Sequence, residues 1–96
     1  MSLMANVTLK LMTIFSNDVG LTEINYSDVD ILREVIDQFL NKYRKKLKRN
    51  FIDPKGNLET HVVILVNGRN YLFLDDFNTK LKDGDQIVIA PPLVGG

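Results

Sequence analysis

Apolar and polar residues alternate along Val7-Thr8-Leu9-Lys10-Leu11-Met12, the period-two signature of a strand buried on one face. Val7, Leu9 and Leu11 would face a core, and the apolar run continues into Ile14 and Phe15. Ser16-Asn17-Asp18-Val19-Gly20 reads as a turn. Residues 22–26 read as a second short strand that closes a hairpin. The period then changes. Val29, Leu32, Ile36, Phe39, Leu40, Tyr43 and Leu47 recur at helical spacing on one face. Ser27 is placed to cap this helix, and Asp30 to favour the positive end of its dipole. Asp53-Pro54-Lys55-Gly56-Asn57 then breaks the pattern.

Residues 61–66 are rich in β-branched side chains and predict a central strand. Asn67-Gly68 is a strong hairpin signal, because a type I′ turn needs two positive φ angles. Residues 71–74 are its expected return strand. Asp83-Gly84 predicts another turn. Residues 86–90 predict the last strand, with Ile87 and Ile89 inward, and Pro91-Pro92 ends it. The order is therefore ββαβββ. One long helix laid across a mixed sheet of about five strands buries these faces most simply. That is an α+β fold, a ubiquitin-like β-grasp. In this fold type the first and last strands lie side by side and parallel.

Composition narrows the chemistry. A chain of 96 residues predicts a single domain, residues 1–96. Residues 1–3 read as a cloning remnant and 91–96 as an extended tail. Lys+Arg and Asp+Glu balance at 12 each, so no net charge draws the chain toward nucleic acid or an anionic membrane. No cysteine is present, which excludes disulfides, thiolate metal sites and a thioester on the chain's own side chains. One histidine, His61, cannot make a histidine-rich metal site. No apolar run has the length of a membrane span and no signal peptide is legible, so a cytoplasmic location is the expectation.

The tail Pro91-Pro92-Leu93-Val94-Gly95-Gly96 carries the candidate chemistry. Two prolines stiffen its exit and stop further sheet pairing. Two glycines without Cβ can thread a narrow channel and bring a carboxylate to a nucleotide. A carboxylate is a poor electrophile, and activation as an acyl-adenylate would make it an acyl donor. The residues alone fit an ordinary frayed end as well.

Residues 81–96, Leu81-Lys82-Asp83-Gly84-Asp85-Gln86-Ile87-Val88-Ile89-Ala90-Pro91-Pro92-Leu93-Val94-Gly95-Gly96, resemble the ending of the MoaD/ThiS sulfur carriers. Val66-Asn67-Gly68-Arg69 resembles their central hairpin, and Leu32-Arg33-Glu34 falls where their helix begins. The Pro-Pro before the last four residues is more similar to molybdopterin synthase small subunits than to thiazole-pathway carriers. The long loop around residues 53–58 looks more like archaeal MoaD-like proteins, some of them similar to ubiquitin-like modifiers.

The resemblance implies a carrier rather than an enzyme. An E1-like partner would adenylate Gly96 with ATP, and a sulfur donor would convert the adenylate to a thiocarboxylate. The tail, residues 91–95 with Gly96, would then enter a molybdopterin synthase large subunit, which would hold the catalytic side chains. The alternative is a modifier joined through Gly96 to lysines of target proteins. The resemblance implies no cofactor or metal held by this chain.

Alternation also predicts a docking face. With Val7, Leu9 and Leu11 toward the helix, Met12, Val63, Leu65, Val88 and Ala90 fall on the far face of the sheet. An uncovered apolar face calls for a partner, or else reflects scattered surface residues or a different register. Lys42, Arg44, Lys45, Lys46, Lys48 and Arg49 crowd the predicted end of the helix. They form a solvated helix end that complements its dipole, or else steer the chain toward an acidic partner. No aromatic stacking platform accompanies them, which argues against nucleic acid. His61 reads as a strand-start residue. Asp75 and Asp76 are adjacent and suit a turn better than an acid–base pair.

Overall fold

The computed structural model of the chain describes residues 4–92. Its elements are β1 (Ala5–Leu11), α1 (Ile14–Val19), β2 (Glu23–Val29), α2 (Leu32–Tyr43), β3 (Val63–Val66), β4 (Arg69–Asn70) and β5 (Gln86–Ala90). The strands form one sheet in the order β2-β1-β5-β3-β4. At its centre β1 and β5 run parallel, with Leu9 beside Ile87 and Leu11 beside Ile89. β2 pairs antiparallel with β1, and β3 with β5. This is the ubiquitin-like β-grasp, with α2 as its one main helix.

Burial follows the two periods. Val7, Leu9 and Leu11 of β1, Ile64 and Val66 of β3, and Ile87 and Ile89 of β5 are buried on one face. Leu32, Val35, Ile36, Phe39, Leu40 and Tyr43 of α2 are buried with them. Burying each such side chain is worth about 1.5–3 kcal/mol, and this layer holds α2 on the sheet.

Residues 16–20 form no simple turn. Ile14–Val19 is a helix, ended by Gly20 at φ 86°, whose N–H donates to the Ser16 carbonyl at 2.8 Å. Phe15 and Val19 lie four apart and both are buried, which places them on one helical face. β1 therefore stops at Leu11 rather than running through Phe15.

The start of the main helix is also displaced. Ser27 does not cap it. Ser27 and Asp28 form an irregularity in β2, where the partner of Ala5 is Val29 and that of Val7 is Tyr26. Asp28 takes a positive φ of 58° there. Val29 belongs to β2 and packs in the core from the sheet side. The cap of α2 comes from inside the helix. The Glu34 carboxylate accepts the N–H groups of Asp30 at 2.6 Å and Ile31 at 3.0 Å, which is half of a capping box.

The second half of the chain has shorter strands than expected. Residues 61 and 62 form a turn, and β3 begins at Val63. The Asn67-Gly68 hairpin is as predicted: Val66 pairs with Arg69, and Asn67 and Gly68 have φ of 51° and 83°. The return strand is Arg69–Asn70 alone. The Asn70 side chain accepts the Leu72 N–H at 3.0 Å, and Tyr71–Phe73 coils as a 3-10 turn that drops Tyr71 into the core. Asp75 and Asp76 lie in the following turn, as expected.

Candidate functional site

β5 is the element that precedes Pro91 and Pro92. Its start is pinned by the Asp83-Gly84-Asp85 turn. The Asp83 carboxylate accepts the Asn6 N–H at 2.7 Å, and the Gly84 N–H donates to the Asn6 carbonyl at 2.9 Å. Asp85 accepts the Lys82 N–H at 2.8 Å and the Asn67 side-chain amide at 2.8 Å. Asn67 in turn accepts the Gln86 N–H at 2.9 Å. Both aspartates are occupied with fixing the register of β5 against β1 and the hairpin. Their hydrogen bonds align the strand.

The far end of β5 releases the chain. The Met12 N–H donates to the Ile89 carbonyl at 3.0 Å, and Val63 faces Ala90 across β3. Beyond this rung Pro91 and Pro92 are half-buried and carry no strand pairing. Leu93, Val94, Gly95 and Gly96, with residues 1–3, lie outside the described residues.

The register brings four of the five predicted docking residues together. Leu65 lies opposite Val88 and Val63 opposite Ala90, on the face away from α2. They are half-buried rather than fully exposed, since each is shielded by its cross-strand neighbours. Polar residues surround them. Lys10 lies beside Val88 and opposite Glu23, and the Thr8 hydroxyl bonds the Asn25 side chain at 3.0 Å. An apolar centre with a polar rim has the composition of a transient docking surface. Met12 has no cross-strand partner in this set, but its N–H donates to the Ile89 carbonyl at 3.0 Å. It follows the end of β1 and is exposed at the same sheet end as the tail.

Sequence reading missed Leu72 and Phe73. Phe73 is 87% exposed, the most exposed large apolar side chain among the described residues. Both were expected inside a return strand, and the two-residue length of β4 is what puts them on the surface. The Asn70 side chain, a local turn former, was the available signal.

Two phenols are held above their ordinary pKa. Tyr26 is pushed up to about 12, first by burial and then by the neighbouring Tyr43. Tyr71 is raised by burial and by Asp76. Tyr26 lies opposite Val7 and Tyr71 is buried, so both belong to the core side. Among the described residues no group of three or more His, Asp or Glu side chains could hold a metal. No described helix is long and apolar enough to cross a membrane.

This geometry has relatives. The profile of the ThiS family matches residues 12–96, nearly the whole chain. The chain belongs to the ThiS family. A proposed sulfur carrier of Archaeoglobus fulgidus is 30% identical over 76% of this chain and 89% of its own length. Small archaeal modifier protein 3 of Haloferax volcanii is 44% identical over a shorter stretch, 43% of this chain and 45% of that relative. The solution structure of small archaeal modifier protein 1 from Methanosarcina acetivorans superposes with a TM-score of 0.79 at 32% identity, covering 97% of this chain and 98% of the other. ThiS-family proteins of this kind are ubiquitin-like sulfur carriers and modifiers.

Proposed function

We propose that this ThiS-family chain is a sulfur carrier that acts through the carboxylate of Gly96. The observation that supports the reading is the fixed position of β5, which leads into Pro91-Pro92. β5 is locked at its start by Asp83, Asp85 and Asn67, and held to β1 up to the Met12–Ile89 bond. The chain then passes into Pro91-Pro92, with Gly95-Gly96 completing the tail. A fixed origin and a stiff exit reduce the ordering cost of threading the tail into a partner.

In the proposed chemistry a carboxylate oxygen of Gly96 attacks the α-phosphorus of ATP, bound by an E1-like enzyme, and pyrophosphate leaves. Sulfide, or a sulfur donor equivalent, then attacks the acyl carbon and AMP leaves, giving the thiocarboxylate. This chain contributes the acyl group and the docking face of Val63, Leu65, Val88 and Ala90. ATP and the catalytic side chains belong to the partner. The Pro-Pro exit favours a molybdopterin synthase large subunit as the acceptor, with Leu93, Val94 and Gly95 threading its channel.

The likeness to two small archaeal modifier proteins favours a second reading, in which Gly96 is joined to lysines of target proteins. One experiment separates the two. The chain is incubated with the E1-like enzyme encoded in its own genome, ATP and sulfide, and analysed by intact mass. Exchange of one oxygen for sulfur at the terminus supports the carrier. Lysine peptides bearing the tail in cell digests, with no thiocarboxylate, support the modifier. A terminus left as a plain carboxylate in both assays sinks both.

A further inference from the structure

Half of the chain's twelve Lys and Arg residues fall within residues 42–49, in a molecule of zero net charge. Only Lys42 lies in the last turn of α2, which ends at Tyr43. The rest sit in the 3-10 turns Arg44–Lys46 and Arg49–Phe51 and the two residues between them. Complementing a helix dipole acts within the last turn and does not call for five further cations beyond it.

Two of the six are committed to the fold. The Arg44 Nε donates to the Gly56 carbonyl at 2.6 Å. Lys48 is 3.5 Å from the Asp18 carboxylate, which also accepts the Lys48 N–H at 3.2 Å. Lys42, Lys45, Lys46 and Arg49 are exposed and have no acidic partner within 4 Å among the described residues. The nearest acidic side chain in sequence beyond them, Asp53, is turned onto its own loop, accepting the N–H groups of Lys55 and Asn57 at 2.9 Å each.

The segment is held at one end of the sheet. Lys48 is tied to Asp18 of α1, and the Phe51 ring packs on Phe15 of α1 at 4.6 Å and on His61 at 5.9 Å. His61 stands two residues before Val63, and Val63 faces Ala90. α1 follows the end of β1, and Met12 just beyond that strand bonds Ile89. The basic segment and the exit of the tail therefore share one end. Asp83 and Asp85, with Asn6, occupy the other.

We propose that Lys42, Lys45, Lys46 and Arg49 form a cationic collar that docks on an acidic rim around the tail-receiving channel of the activating enzyme. The proposal rests on the activation of Gly96 above. It assigns the orientation of the encounter to charge and leaves the apolar sheet face to hold the docked complex. Steering of this kind raises association by on the order of 10-fold or more at low salt and fades as salt screens it.

The test compares two pairs with equal charge change, K45E/K46E at the tail end and K80E/K82E at the other end. Circular dichroism and thermal melts establish folding, with K45Q/K46Q as the milder variant. ATP–pyrophosphate exchange by the E1-like enzyme of the same genome is measured against chain concentration over a salt series, and binding by fluorescence anisotropy alongside it. In the expected result K45E/K46E raises KM about tenfold at low salt with the effect falling on KM rather than kcat, while K80E/K82E stays within about twofold. Equal effects of the two pairs, or none from K45E/K46E, overturn the collar and leave the Gly96 reading standing. Salt-sensitive binding that K45E/K46E abolishes, without any adenylation of the wild type, keeps the collar and sinks that reading. Absence of both binding and adenylation overturns both. Tighter binding to an RNA oligomer than to the enzyme, lost in K45E/K46E, also overturns the acidic-rim assignment.

Discussion

The Met12 amide and the Ile89 carbonyl, 3.0 Å apart, form the rung of the parallel β1–β5 pairing at its tail end. One residue later the chain reaches Ala90 and then two prolines, which cannot donate to a ladder. Sheet and tail thus meet at a sharp boundary. The strand is paired with β1 up to Ile89 and with β3 up to Ala90, and Pro91 and Pro92 carry no strand pairing.

The centre of the sheet should be sensitive to lost volume. Ile87 has no exposed surface and lies between Leu9 of β1 and Val66 of β3. Ile87→Ala should cost about 2–5 kcal/mol, read as a fall in thermal midpoint or denaturant midpoint. A loss under about 1 kcal/mol would contradict the assigned register.

The hairpin makes a conformational prediction. Gly68 has φ 83°, and a Cβ there would meet nothing within 4 Å. Gly68→Val should therefore destabilise by about 1–2 kcal/mol through backbone strain alone. Gly68→Asn should cost clearly less, since Asn tolerates the left-handed region. Equal losses for the two in urea melts would contradict φ strain as the source of the cost.

The sheet face should matter to partners more than to folding. Leu65 and Val88 lie opposite each other and are half-buried. Replacing both by Thr keeps a residue suited to strands but removes the apolar centre. The double variant should fold, yet its KM in adenylation should rise about tenfold, near 1.4 kcal/mol. An unchanged KM would remove this face from the interface.

Alkaline pH should weaken the fold through Tyr26. Its native pKa of about 12 lies above the ordinary value of 10.0, so the native state keeps a proton that the unfolded chain loses. The contribution is intact below pH 10 and is lost as pH rises from 10 toward 12. Tyr26→Phe should flatten this part of the stability–pH curve, and an unaltered slope would place the effect elsewhere.

The fold and the tail-bearing strand were legible in the sequence because two plain periods dominate it. β5 and the Asn67-Gly68 turn needed only alternation and a positive-φ pair. The misplacements arose where local signals compete. Phe15 extends an alternating strand and also pairs with Val19 at helical spacing, and burial of both decided for the helix. Ser27 has the chemistry of a cap, but a bulge carries β2 past it, and Glu34 does the capping from the third helical position. The shared outer face of Val63, Leu65, Val88 and Ala90 was legible because period two fixes which side each residue takes. Met12 follows the last residue of β1, is bonded to Ile89 and is exposed. The basic run could be counted in the sequence, but its place beside the tail exit depends on the contacts of Phe15 with Phe51 and Asp18 with Lys48.

Activation of Gly96 is read most simply by ATP–pyrophosphate exchange, with the E1-like enzyme of the same genome and either the full chain or a chain lacking Gly96. Exchange should depend on the full chain and disappear when Gly96 is removed, with both chains equally folded. Exchange that persists without Gly96, or that no folded full-length chain supports, would contradict the activation of Gly96.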